Sequence, residues 1–152
     1  MRTMCAVAVV VATVSFGIAR AGIIPVADVP KGAKEAADQA APGVEWLVAS
    51  KDAAGGYMLL GKDAQKRTVE FLTDAPGKKC AVRVDIVMGD VPAEVSAALR
   101  KEMPNFVPKS VQACGKETKT VTVYRFQGEG YQGGNAGVYV TADGKKVVPL
   151  KE

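Results

Sequence analysis

The run Gly128-Glu129-Gly130-Tyr131-Gln132-Gly133 has the spacing of a dinucleotide-binding turn, where glycines let backbone approach a pyrophosphate held at a helix N-terminus. That chemistry needs a helix directly after the glycines, whereas Asn135 to Thr141 alternates as a strand. The run therefore reads as the long loop of a β-hairpin, and no nucleotide cofactor is expected. Ser50, Ser96 and Ser110 have no activating base beside them in sequence, and neither paired carboxylates nor clustered metal ligands stand out. The chain has no histidine. This excludes Ser-His-Asp and Cys-His nucleophiles, His-ligated zinc and the common neutral-pH acid/base. The residue inventory points to binding without catalysis, with no cofactor and no metal.

The best contact candidate is the same loop, Gly128 to Gly137, which presents Glu129, Tyr131 and Asn135 among five glycines. Loops on rigid scaffolds carry function, and tyrosine is a favoured interface anchor. The corresponding connection Gly61 to Arg67 is shorter and polar. Trp46, the only tryptophan, is a second candidate with two readings open. Facing a core, its indole N–H needs a partner. Facing outward with Tyr57, Tyr124 and Tyr139, it would make an aromatic binding surface.

These residues must be held by a chain of 152 residues, 48% apolar and 24% charged, which suits one globular domain or two small ones. Residues 1–21 read as a secretory signal peptide: Arg2, an apolar run from Met4 to Phe16, then Ala19-Arg20-Ala21 as the cleavage site. The run falls short of the ~20 apolar residues that span a bilayer. A periplasmic or secreted protein with no membrane span after cleavage is expected. The signal carries two basic residues and no acidic one, so the formal charge falls from +4 to +2 and gives no electrostatic case for nucleic acid. Cys5 leaves with the signal. Cys80 and Cys114 then remain, either as a disulfide in an oxidising compartment or as two separate thiols. Closing that loop of about 35 residues would stabilise the fold by roughly 4 kcal/mol on the chain-entropy estimate.

The chain from residue 22 onward contains the same pattern twice. A shift of 62 residues places Asp28-Val29-Pro30 on Asp90-Val91-Pro92, Ala36 on Ala98 and Pro42 on Pro104, and later Gly77-Lys78-Lys79 matches Gly144-Lys145-Lys146. We divide it into unit 1, residues 22–87, and unit 2, residues 88–152. Each opens with a helix: Val95, Ala98, Leu99 and Met103 follow Pro92 at helical spacing and Pro104 stops them, while Ala33, Ala36, Ala37 and Ala40 lie between Pro30 and Pro42. The period then changes to 2. Strands are expected near 44–50, 57–60, 68–73 and 81–87, and near 110–114, 120–127, 137–141 and 146–150, with Gly77 and Asp143-Gly144 supplying the last turns. The fold class is α+β, two tandem units of one helix and four antiparallel strands. Units of about 60 residues are marginal alone, so their sheets should join or their helices should share a core.

Val91-Pro92, the helical apolar positions, Met103-Pro104-Asn105, Val123-Tyr124-Arg125-Phe126 and Val138-Tyr139-Val140-Thr141-Ala142-Asp143-Gly144-Lys145 together resemble the PepSY-like domain of secreted bacterial proteins. The likeness covers unit 2 and, more weakly, unit 1, whose helix stop is Ala41-Pro42-Gly43. Met103 replaces the usual aromatic and Asn105 the usual glycine. The resemblance implies an exported, non-catalytic module that binds or restrains a peptidase or another envelope protein. The tandem arrangement is also similar in architecture to beta-lactamase inhibitory protein, where two such units present a concave sheet to an enzyme. An alternative of a different class is a carrier holding a small ligand or peptide between sheet and helices.

Overall fold

The computed structural model describes residues 22–74, 80–130 and 134–150. The expected signal peptide, the Gly77-Lys78-Lys79 turn and Tyr131 lie outside these residues. The order is β1 (Gly22–Ile24), a 3-10 turn (Val26–Asp28), α1 (Lys31–Ala40), β2 (Glu45–Lys51), β3 (Tyr57–Lys62), β4 (Thr68–Thr73) and β5 (Cys80–Ile86). A second 3-10 turn (Met88–Asp90) follows, then α2 (Ala93–Glu102), β6 (Val107–Glu117), β7 (Thr120–Glu129), β8 (Asn135–Thr141) and β9 (Val147–Pro149).

The sheets of the two expected four-stranded units join, and the result has one strand more than expected. All nine strands make one antiparallel sheet in sequence order, because β5 pairs with β4 along one edge and with β6 along the other. The additional strand is β1, which places Ile24 against Ala49 of β2.

Local chemistry sets the two helices alike. Pro30 and Pro92 sit at the N-caps with ψ of 139° and 144°, so each helix starts on the following residue. Ala41 and Met103 end them, each donating its N–H to a carbonyl four residues back, before Pro42 and Pro104. Each bound of α2 lies 62 residues after that of α1. The spacing recurs in a register shift between Trp46 and Val48 of β2 and another between Pro108 and Ser110 of β6. Gly61 and Gly128 stand opposite these irregularities. A side chain on Gly61 would run into the carbonyl oxygen of Glu45, and one on Gly128 into that of Val107. Gly144 turns β8 into β9 at φ +67°, tight against the Glu94 carbonyl of α2.

Both helices cover the same face of the sheet. Under α1, Ala37 and Ala40 pack with Ala49, Leu59, Phe71 and Val82; under α2, Val95 and Leu99 pack with Val111, Phe126, Val138 and Val140. Ile86 touches both clusters. The β6–β7 hairpin reaches back across the sheet, where Thr118 N–H donates to the Ala40 carbonyl at 3.0 Å.

Candidate functional site

Which face a strand residue takes follows from pairing register and period 2. Trp46 pairs with Gly61 on the helix side, where it packs against the first core cluster with its ring centroid 6.3 Å from that of Phe71. Its indole N–H donates to Asp38 Oδ1 of α1 at 2.9 Å. Partial burial alone would raise the Asp38 carboxyl, but this bond, the Lys34 hydrogen bond and the Lys34 charge together hold it below the usual carboxylate range. Tyr57 and Tyr124 also pack on the helix side, and the Lys51 ammonium lies 5.6 Å from the Tyr57 ring centre. Of the aromatic residues considered for an outer surface, only Tyr139 stands on the open face.

The expected disulfide is absent: Cys80 and Cys114 are free thiols. Register gives the reason. Cys114 pairs with Arg83, and Cys80 lies three residues before Arg83, an odd number that sends its side chain to the helix side while Cys114 takes the open face. Burial pushes the Cys114 thiol up, against the pull of the neighbouring Arg83 and Arg125 charges.

On the open face, cross-strand neighbours form two contrasting rows. Ile23, Ser50, Met58, Leu72 and Ala81 run across β1 to β5. Asp85, Gln112, Arg125, Tyr139 and Val148 run across β5 to β9. The second row is a hydrogen-bond ladder: Gln112 Nε2 donates to Asp85 Oδ1 at 2.9 Å, and Arg125 donates to Gln112 Oε1 at 3.3 Å. The two bonds fix which way the Gln112 amide points. Beside the ladder, Arg83 reaches Glu70 at 3.4 Å. A cleft of about 540 Å³ opens here, with Val123, Tyr139 and Val148 among its apolar lining and Arg83, Lys116 and Lys146 contributing charge. Exposed apolar side chains include Ile23 at 81% exposure, Leu47, Val48, Val87 and Val107.

The hairpin tip is shorter than expected, since β7 continues through Glu129 and β8 begins at Asn135. These two residues pair directly, and the Gly130 N–H donates to the Gly134 carbonyl at 2.9 Å. Glu129 forms an ion pair with Lys109, the residue at the β6 irregularity. Glu129 and Asn135 are thus brought together at one end of the sheet, with Tyr131 between them in sequence, while Trp46 is not brought to them. Among the described residues, no group of three or more His, Cys, Asp or Glu is placed to hold a metal, and no helix is long and apolar enough to cross a membrane.

A nine-stranded antiparallel sheet with two helices on one face defines a BLIP-like α+β fold. No family model matches the chain, and no curated protein matches it. Solved structures do. A BLIP-like protein from Bacteroides fragilis superposes with a TM-score of 0.60 at 15% identity, covering 81% of this chain and 87% of that one. A DUF2874 family protein from Bacteroides ovatus gives 0.57 at 16% identity over 79% and 86% of the two chains. Another from Bacteroides uniformis gives 0.58 at 15% identity over 79% and 88%. At such identities the likeness is one of fold.

Proposed function

We propose that the chain is an exported, non-catalytic binding protein built of two PepSY-like units, 22–87 and 88–152, that engages a protein of the cell envelope or exterior, a peptidase among the candidates. The observation that carries this is the one-sided sheet: nine strands roofed by helices on one face, and on the other an uncovered surface with an ordered ladder of polar side chains. A structural surface tolerates loose polar side chains, whereas side chains locked to one another on an open face offer a preorganised contact. The β7–β8 hairpin, with Glu129, Tyr131 and Asn135, extends the same reading to a second contact. Trp46, bonded to Asp38 of α1 on the helix side, lies outside this surface. The carrier reading would put a ligand between sheet and helices, where Leu59, Phe71 and Phe126 are fully buried.

Photo-crosslinking side chains at Leu72 and Val148 should capture a partner, while the same group at Lys31 on the exposed side of α1 should capture none. Capture from Lys31 alone would overturn the reading. Tyr131→Ala should weaken capture with no change in melting temperature.

A further inference from the structure

We infer that the open-face cleft over β5 to β9 receives an acidic segment of the protein partner, a carboxylate side chain carried next to an aliphatic one. The inference rests on the reading that the open face binds protein, and it names the chemistry of what binds.

Charge decides the sign. The cleft of about 540 Å³ is lined by Arg83, Lys116 and Lys146, and among the described residues no carboxylate lines it. Glu70 offsets Arg83 at 3.4 Å. Lys116 and Lys146 have no carboxylate within ion-pair distance among the described residues, so two positive charges at the cleft are uncompensated. Other lysines, Lys51, Lys66, Lys101 and Lys119 among them, also stand without an ion pair among the described residues; what sets the cleft apart is that two such lysines line it together with Arg83, over apolar side chains and with no carboxylate in the lining.

The lining decides the rest. Val123, Tyr139 and Val148 provide apolar area, and a carboxylate seated over it meets the cations with less water between them than on a flat surface. Tyr139 is held in the row beside Arg125, whose guanidinium is tied to Gln112, so these groups are ordered before anything arrives. Size argues for a protein segment over a free anion. Ala81 lines the cleft and also ends the apolar row Ile23, Ser50, Met58, Leu72, Ala81, so cationic and apolar surfaces are continuous. An occupant matching both presents an acidic and an apolar patch side by side.

The test is amide NMR of the isotope-labelled protein titrated with capped hexapeptides. The first has the order serine, glutamate, leucine, aspartate, leucine, serine; the second replaces its acids by their amides and the third by lysines. Expected are shifts at Arg83, Cys114, Val123, Tyr139 and Val148 with the acidic peptide, and binding about tenfold weaker with the amide peptide. Lys116→Gln with Lys146→Gln should bring the acidic peptide down to the amide level. Lys116→Glu with Lys146→Glu should transfer the preference to the lysine peptide, a gain that misfolding cannot produce.

Equal binding of all three peptides at the cleft would overturn the acidic preference and leave the open-face reading standing. Shifts confined to β1 to β4, or no shift with any peptide while cross-linkers at Leu72 still capture protein, would do the same. Sedimentation with phosphatidylglycerol vesicles that depends on Lys116 and Lys146, without peptide binding, would replace the protein segment by an anionic lipid surface. Capture only from the helix side would remove both readings.

Discussion

The row Ile23, Ser50, Met58, Leu72, Ala81 and the row Asp85, Gln112, Arg125, Tyr139, Val148 hold equivalent places in the two halves of one sheet, yet one is mainly apolar and the other a polar ladder. On the opposite face the equivalent positions stay alike: Ala49 and Val111, Leu59 and Phe126, Phe71 and Val138 are all buried under a helix. Packing leaves little freedom where a helix roofs the sheet, because every volume change there is felt. The uncovered face carries no such constraint. Its side chains differ between halves, and that difference is where recognition can be written.

The comparison can be broken first at its common side. Leu59→Ala and Phe126→Ala, at matching places in the two halves, should each cost about 2–5 kcal/mol in urea unfolding. A cost below about 1 kcal/mol in either would show that the halves are not packed alike. Gly61→Ala and Gly128→Ala come next, each forcing a methyl onto a neighbouring carbonyl, for about 1–3 kcal/mol. If only one of them destabilises, the two strand irregularities are not the same device. Gln112→Ala sharpens the contrast between the open faces: it strips Asp85 and Arg125 of their shared contact and should cost about 1–3 kcal/mol by the same measurement.

Smaller effects separate the two helices. Trp46→Phe keeps an aromatic ring but removes the N–H to Asp38 together with the five-membered ring, for about 0.5–1.5 kcal/mol from the hydrogen bond plus a packing loss. Asp38 has a folded pKa below its unfolded value, so its stabilisation is complete above the unfolded value of about 3.9 and is lost as pH falls through the folded one. Stability of Asp38→Asn should therefore converge on that of the unaltered protein as the pH drops below about 4, and diverge above it. A constant gap across that range would show that the carboxylate charge is not what Trp46 and Lys34 hold.

Much of the fold is legible in the sequence because it is local. Pro30, Pro92, Pro42 and Pro104 mark the helices, and alternation marks eight strands. β1 escaped because three residues, Gly22–Ile24, are too few to show a period. The joining of the strands into one sheet depends on both edges of β5, which is a matter of long-range pairing. The candidate site was less legible. Alternation could not assign Trp46 to a face, since the register shift beside it breaks the count of two. Arg83, Gln112, Arg125 and Tyr139 come from four strands, β5 to β8, and only cross-strand register brings them together; the one local signal is the alternation of Val82, Val84 and Ile86 with Arg83 and Asp85. The disulfide failed for the same reason, because an even count of cysteines says nothing about faces.

β5 is the fifth strand from either end of the sheet, closing one half and opening the other. Neither half can lose it and keep its sheet, and Ile86 at its end is packed into both cores. Unfolding cannot then proceed one half at a time, as it can in arrays whose repeats meet only at a surface. The whole chain should melt in a single transition, with calorimetric and van't Hoff enthalpies in agreement. A partner gripping only the face of the second half would thereby stabilise the first half as well, through a strand that belongs to both.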